Sequence, residues 1–272
     1  MKTPIARGWR SVKEQTYILI LLFVYRLLWG YFLYSFVRDA VYPFLLRLRE
    51  NADSTAKLLY YVEAQFSLLE NAEVRTWLWT LAAMVLLRML LSPLIRAGLL
   101  YELQQESLGN RGLFLFPGMK RYGWPVFLFS LAEWGLTLLP FCWLGPKLYT
   151  LTTASYLQPA LLLTAAAYAA GWALYAYIIR QCFLYMQFGY VHNRSIAAAL
   201  MTYFKNIVPA TGLSLLLGAG GVFSHLLALL IGWLWPGLPA LLARQAAPFP
   251  ATLFKLWGIA AQYHLWSSKQ RN

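Results

Sequence analysis

The sequence predicts an all-α fold: a polytopic membrane helix bundle with six transmembrane helices. Apolar residues make up 60% of the 272 residues, whereas a soluble globular domain has about 45–50%. Charged residues make up only 12%, against about 25% in soluble domains. Apolar runs of about 20 residues, the length that crosses a bilayer as a helix, recur along the chain. These observations exclude a soluble domain, a disordered chain and a disulfide scaffold.

The apolar runs divide residues 1–272, taken as a single integral membrane domain, into six spans. The first run follows a basic leader, but it is longer than a signal-peptide core and no Ala-x-Ala-like site follows it. We therefore expect a retained helix there. The last run carries Lys255 and is the shortest. The predicted spans are residues 16–37, 77–99, 124–145, 160–180, 207–234 and 250–267. Between the first two, residues 54–72 carry apolar side chains at three-to-four spacing, which predicts an outer amphipathic helix.

The distribution of Lys and Arg predicts the orientation. Basic residues are concentrated in the leader, in the segments before the third and fifth spans, and in the tail. The alternate loops either carry more acidic than basic residues or offer a single basic residue. Because cytoplasmic loops carry the excess of Lys and Arg, both termini are predicted to be cytoplasmic, in a bacterial plasma membrane.

The net charge of +13 points to lipid rather than to nucleic acid, because a membrane protein gathers basic residues at the anionic cytoplasmic surface. All ten acidic residues lie at or before Glu133. The basic side chains of the second half must therefore meet lipid phosphate, water, carbonyl groups or acids of the first half. The expected partners are anionic membrane lipids, with a membrane-protein partner or a second copy of the chain as alternatives.

An internal repeat links the cytoplasmic segments. Arg96-x3-Leu-Tyr101 recurs as Arg180-x3-Leu-Tyr185, 84 residues later, and the start of the third span recurs at the start of the fifth. The leader supplies a third copy. The unit is predicted to be a cytoplasmic amphipathic segment followed by a helical hairpin, three times. The repeat positions at the cytoplasmic interface are Lys13, Arg96, Tyr101, Arg111, Arg121, Arg180, Tyr185, Arg194 and Lys205.

This layout resembles a bacterial superfamily of six-helix membrane domains, one member of which precedes the catalytic domain of some glycerophosphodiester phosphodiesterases. The resemblance rests on Gly8-Trp9-x3-Lys13, the two Arg-x3-Leu-Tyr segments and the Lys/Arg-x3-Pro helix starts. It implies a six-helix membrane domain and no catalytic residue, since the metal site of the hydrolase domain has nothing to map onto after Glu133.

Three charges fall near the middle of predicted spans: Arg26, Arg88 and Glu133. An Arg at that depth is costly, so these side chains should face the bundle interior and pair with one another. We expect an Arg26–Glu133–Arg88 cluster. It would be either a structural clamp or an anion or proton site in a water-accessible cavity.

Catalytic and metal-binding motifs are missing from the sequence. It has no nucleophile elbow, no phosphate-binding Lys loop and no His-x-Glu or HExxH spacing. His192, His225 and His264 fall at separate predicted depths and are expected to be hydrogen-bonded bundle residues. We therefore expect no cofactor and no metal. The leading function is a non-catalytic membrane component that binds lipid or a protein partner in envelope or transport processes. The alternative is a small transporter or channel that uses the Arg/Glu cluster.

Overall fold

The computed structural model describes residues 2–41, 72–110, 112–154, 160–235, 237 and 245–270. Within these ranges the chain is helical and has no strand, which confirms the all-α class. The predicted outer segment 54–72 and Arg111 lie outside the described residues, except for Ala72. The helices, numbered here in chain order, are α1 (Lys2–Glu14), α2 (Thr16–Phe36), α3 (Ala72–Ser107), α4 (Leu115–Leu138), α5 (Phe141–Ala154), α6 (Ala160–Val191), α7 (Ile196–Lys205), α8 (Ile207–Leu234) and α9 (Pro248–Gln270), with a short π-helix at Val37–Val41.

Within the described part of the chain, four helices are long and apolar enough to cross a membrane: Thr16–Asp39, Arg75–Ser107, Leu161–Val191 and Ile207–Leu234. The pair α4 and α5, bent by 41° at residues 139–140, makes a fifth if it counts as one span. In each of the four helices, at most 11% of the most apolar stretch of 18 residues is buried. These stretches therefore present apolar surface outward, as contact with lipid requires. The sixth predicted span coincides with α9, which is helical but less apolar and does not meet the same criterion.

The bend between α4 and α5 follows from Pro140. Proline has no N–H, so the carbonyl of Leu136 lacks its usual donor four residues later. Tyr175 Oη of α6 donates to that carbonyl at 3.1 Å, and Trp172 Nε1 donates to the carbonyl of Thr137, also at 3.1 Å. Side chains of α6 thus satisfy the backbone groups that the proline disturbs.

The chain divides into two compact units, each assembled from separate stretches of sequence. The first contains residues 1–14, 93–219 and 255–272, and the second contains residues 15–92 and 220–254. The first unit holds the main hydrophobic core, built from the ends of α3, α6 and α9 together with α7 and the starts of α4 and α8. The large fully buried side chains of this core include Tyr185, Phe188, Tyr203, Tyr263 and Trp266.

In the first unit, a glycine allows close packing at three contacts between helices: α1 on α9, α4 on α3, and α6 on α7. A Cβ on Gly8 of α1 would lie 2.7 Å from the backbone nitrogen of Ala261 in α9. A Cβ on Gly118 of α4 would lie 2.6 Å from Tyr101 in α3. A Cβ on Gly189 of α6 would lie 2.7 Å from the side chain of Ala199 in α7. Only glycine permits this approach at Gly8, where the neighbouring atoms belong to backbone.

The ends of α3 and α6 have the same hydrogen-bond pattern, 84 residues apart. Asn110 N–H donates to the carbonyl of Gln105, and Arg194 N–H donates to the carbonyl of Gly189. The left-handed residue in the two turns is Gly109 (φ 83°) and Asn193 (φ 51°). Glycine and asparagine are the residue types that tolerate this conformation at a helix end.

In the second unit, α2 and the first part of α3 contact each other at two levels. Near one end, the rings of Phe36 and Trp77 are 5.9 Å apart. Farther along, Tyr25 Oη and Ser92 Oγ lie 3.0 Å apart. The C-terminal part of α8 and the segment before Lys255 complete the unit, with Phe249 against Phe23 and Phe254 against Gly220.

Candidate functional site

Glu133 forms the main interior ion pair of the first unit. Its carboxylate accepts a hydrogen bond from Arg96 Nη1 of α3 at 3.0 Å. The Glu133 side chain is 8% exposed and that of Arg96 is 25% exposed. A charge-assisted hydrogen bond of this kind is among the stronger side-chain contacts, and it ties α3 to α4.

Arg180 of α6 adds a second cation to this ion pair. It lies within electrostatic range of both Arg96 and Glu133, and its side chain is exposed. Arg180 stands 84 residues after Arg96 in the sequence, which is the offset of the predicted repeat. We call Arg96, Glu133 and Arg180 the Glu133 charge cluster, which has a net charge of +1 when all three are ionised.

The arginine paired with Glu133 in this cluster is one that the sequence placed among the predicted cytoplasmic-interface positions. The positions of Arg26 and Arg88 along the predicted spans led us to expect these two arginines beside Glu133. In the structure, Glu133 forms its ion pair with Arg96. Arg26 and Arg88 belong to the second unit. Their predicted cluster with Glu133 stays a prediction.

In the second unit, Arg26 of α2 lies beside His225 of α8. Arg26 Nη2 is 3.3 Å from His225 Nε2. A guanidinium can only donate, so Nε2 accepts and the proton of the neutral imidazole is on Nδ1. Arg88 of α3 lies close enough to Arg26 for the two charges to repel each other.

The other residues predicted as repeat positions contact aromatic rings or lie at the ends of helices. Tyr101 packs against Tyr122 with ring centroids 5.5 Å apart, and Tyr185 packs against Tyr203 at 4.9 Å. Arg121 lies over the ring of Tyr122 at 5.3 Å. Three further basic positions of the repeat are Lys13, over the Trp9 ring at 5.4 Å, Arg194, in the turn after α6, and Lys205, in the last turn of α7.

A buried polar group joins α1, α3 and α9. Ser11 Oγ is 2.6 Å from Glu106 Oε1 and 2.8 Å from His264 Nε2, and Ser11 is 1% exposed. This differs from a hydrolase triad, because the carboxylate contacts the serine rather than the imidazole. The arrangement fixes α1 and leaves no access for a substrate to the serine oxygen.

A second chain of hydrogen bonds begins at Tyr263, the residue before His264 in α9. Tyr263 Oη donates to Ser107 Oγ at 3.0 Å, and Ser107 Oγ donates to the carbonyl of Gln104 at 2.7 Å. Each hydroxyl has one proton, so His192, 2.6 Å from Tyr263 Oη, donates through Nε2–H. The pKa of His192 is lowered to about 4, mainly by burial and to a smaller extent by the nearby Arg194, while a hydrogen bond to the Phe188 backbone opposes the shift. His192 is therefore neutral at pH 7.

Together these side chains form the polar junction: Ser11, Glu106, Ser107, His192, Tyr263 and His264. The rings of His192 and His264 both lie next to that of Tyr263, and their separate depths in the membrane stay a prediction. Both are hydrogen-bonded, as expected. No group of three potential metal ligands occurs among the described residues.

Sequence reasoning missed the polar junction because its members are far apart in the chain. Ser11 and His264 are separated by 253 residues, and neither belongs to a known motif. The sequence did offer one clue. Glu106 stands just inside the predicted cytoplasmic segment, where a helix that extends past the bilayer can bring polar side chains together.

Comparisons with protein-family models, with curated proteins and with solved structures give no match.

Proposed function

We propose that this chain is a multi-pass, non-catalytic protein of a bacterial plasma membrane, with six spans and both termini in the cytoplasm, that binds anionic lipid along its basic segments. The observation that carries the proposal is the exposure of large apolar side chains beside basic ones at the start of α4. Phe116 and Trp124 are 65% and 69% exposed, and Lys120 and Arg121 between them are exposed too. Apolar rings with adjacent cations suit the headgroup region.

The repeat-related segment at α7 and the start of α8 has the same character. Phe204 is 54% exposed, Val208 is 76% exposed, and Lys205 lies between them. The third segment, α1, differs because its apolar side packs on α9: the rings of Trp9 and Trp257 are 4.9 Å apart. Its basic side, with Arg7 and Arg10, is exposed. All three segments therefore offer cations at the surface, where anionic phosphate groups would be.

The sixth span of this proposal is α9, in spite of its lower hydropathy. Many of its side chains are buried by protein, among them Thr252, Ala260, Gln262 and Tyr263. A helix that faces protein needs less apolar surface than one that faces lipid. The three-hairpin repeat belongs to the same proposal and is supported by the matched turns after α3 and α6. The resemblance to the six-helix membrane-domain superfamily is also part of the proposal.

Lipid retention measured by native mass spectrometry tests the lipid proposal. Purified protein would be mixed with equal amounts of phosphatidylglycerol and a zwitterionic lipid. We expect several-fold more phosphatidylglycerol than zwitterionic lipid to be retained, and this preference to fall in the variant Lys120→Gln/Arg121→Gln/Lys205→Gln. Lys147→Gln, which removes a cation from a predicted outer segment, is the matched control. Equal retention of the two lipids by the wild-type protein would overturn the proposal.

The second candidate function is a small transporter or channel. Arg26 and Arg88 favour it, because a charged side chain within a membrane span is by default a candidate functional group. A liposome flux assay with small anions and cations, with Arg88→Ala as the variant, tests it. Saturable flux that disappears in a folded Arg88→Ala protein would establish a transporter, and flux equal to that of empty liposomes would exclude one for the ions tested.

A further inference from the structure

The two arginines of the second unit lie at the same level of antiparallel helices. Arg26 is ten residues before Phe36, and Arg88 is eleven residues after Trp77. At 1.5 Å per residue both are about 15–17 Å from the Phe36–Trp77 contact. The Tyr25–Ser92 contact, adjacent to Arg26 and one turn beyond Arg88, fixes this register. A bilayer core is about 30 Å thick, so both guanidinium groups lie about halfway across it.

These two guanidinium groups have no carboxylate partner among the described residues. The ion pair described in this unit is Arg38 with Asp39, about 18 Å along α2 from Arg26. The polar neighbour of Arg26 is the neutral His225, which supplies a lone pair and no charge. Two cations that repel each other in apolar surroundings are unfavourable unless an anion lies near them.

We propose that Arg26 and Arg88, with Arg26 oriented by His225, bind a small oxyanion in the membrane-crossing part of the second unit. A guanidinium presents parallel N–H donors that fit two oxygens of one phosphate or carboxylate group. Both arginine side chains are exposed, so their donors are accessible. Lipid phosphate groups lie in the interfacial layer about 15 Å away, so the ligand is a free anion. This site is separate from the interfacial segments of the proposed function.

Isothermal titration calorimetry of the detergent-solubilised protein with inorganic phosphate tests the site. Dodecyl maltoside contains no phosphate, so the added ion is the ligand measured. We expect saturable binding to the wild-type protein and its loss in Arg26→Gln and in Arg88→Gln. Arg75→Gln is the matched control, because Arg75 is an exposed arginine at the start of the same apolar stretch as Arg88, and it should bind as the wild type does.

Conservative variants keep the test decisive if a glutamine variant fails to fold. Arg26→Lys and Arg88→Lys preserve the charge but remove the paired donors, so each should weaken phosphate binding about tenfold. His225→Ala should weaken it by a smaller factor. The proposal is overturned if phosphate does not bind, if it binds equally to all variants, or if both lysine variants keep the wild-type affinity. A second titration, with short-chain phosphatidylglycerol, tests whether the bound phosphate group belongs to a lipid rather than to a free ion. Binding of that lipid without binding of free phosphate would also overturn the proposal.

Discussion

At the scale of single residues, the Arg96–Glu133 ion pair dominates the interior of the first unit. Removing one partner of such a pair leaves a charge without compensation in a poorly hydrated place, which costs more than the pair itself contributes. Arg180 adds to this cost for any variant that loses the carboxylate, because it lies within electrostatic range of both Arg96 and Glu133. The Arg96–Glu133 hydrogen bond ties α3 to α4.

We predict that Glu133→Gln lowers the free energy of unfolding by about 1–3 kcal/mol. Thermal unfolding in detergent measures this. Glu14→Gln is the control, because Glu14 forms an exposed pair with Arg10 at 3.0 Å and such pairs contribute little. If Glu133→Gln folds with unchanged stability and instead alters ion permeability, the carboxylate is a transport site rather than a clamp.

His192 makes the stability of the protein depend on pH. Its pKa is lowered to about 4 in the fold from an ordinary value near 6.5, so the unfolded chain binds its proton first as the pH falls. The contribution of His192 to stability is complete above about pH 6.5 and is lost progressively between about pH 6.5 and 4. His192→Gln should flatten this part of the stability profile measured by thermal unfolding. An identical profile in wild type and variant would contradict the prediction.

At the scale of helices, the first unit is organised by close contacts between basic segments and helix ends. The docking of α1 depends most on shape, because Gly8 meets the backbone of Ala261. Ser11 and the Trp9–Trp257 contact add polar and aromatic components on the same side of the helix. The basic side of α1 is exposed as a consequence of this docking.

We predict that Gly8→Ala weakens the docking of α1 by about 1–3 kcal/mol, the usual cost of overpacking. Local opening should rise about tenfold or more, and trypsin should cut after Arg7 and Arg10 correspondingly faster. Gly30→Ala is the control, since no atom lies within 4 Å of a Cβ at that position. Equal rates of cleavage in the two variants would show that α1 is not held by this contact.

The sequence predicted helix positions better than it predicted helix partners. Five of the six expected spans coincide with long helices or with the bent pair α4 and α5, because a run of apolar residues depends only on composition. Hydropathy alone could not identify the sixth span, because it counts the polar side chains of α9 in the same way whether they face protein or lipid.

The sequence singled out Glu133 but did not pair it with Arg96. Counting residues along a span gives the depth of a charge and not its direction around the helix axis. Arg96 donates to Glu133, whereas the sequence placed Arg96 among the predicted cytoplasmic-interface positions and not beside Glu133.

At the scale of the whole molecule, apolar side chains occur both in the core and on the surface. The long helices expose Leu, Phe and Trp, while Glu102, Glu133, Gln181 and Gln187 are buried. Exposed apolar side chains on long helices, rather than composition alone, are what a chain immersed in lipid needs. Within the described residues, most of the buried polar side chains belong to the first unit, among them Ser11, Glu102, Glu133 and Gln187.

Cysteine labelling in intact cells tests the proposed orientation directly, with both termini in the cytoplasm and Tyr149 on the outer side. In a background with Cys142 and Cys182 replaced by serine, single cysteines would be placed at Thr3, Tyr149 and Lys269, all exposed. A membrane-impermeant maleimide should label Tyr149→Cys in intact cells, and Thr3→Cys and Lys269→Cys only after permeabilisation. Labelling of Thr3→Cys or Lys269→Cys in intact cells, or of Tyr149→Cys only after permeabilisation, would contradict the account.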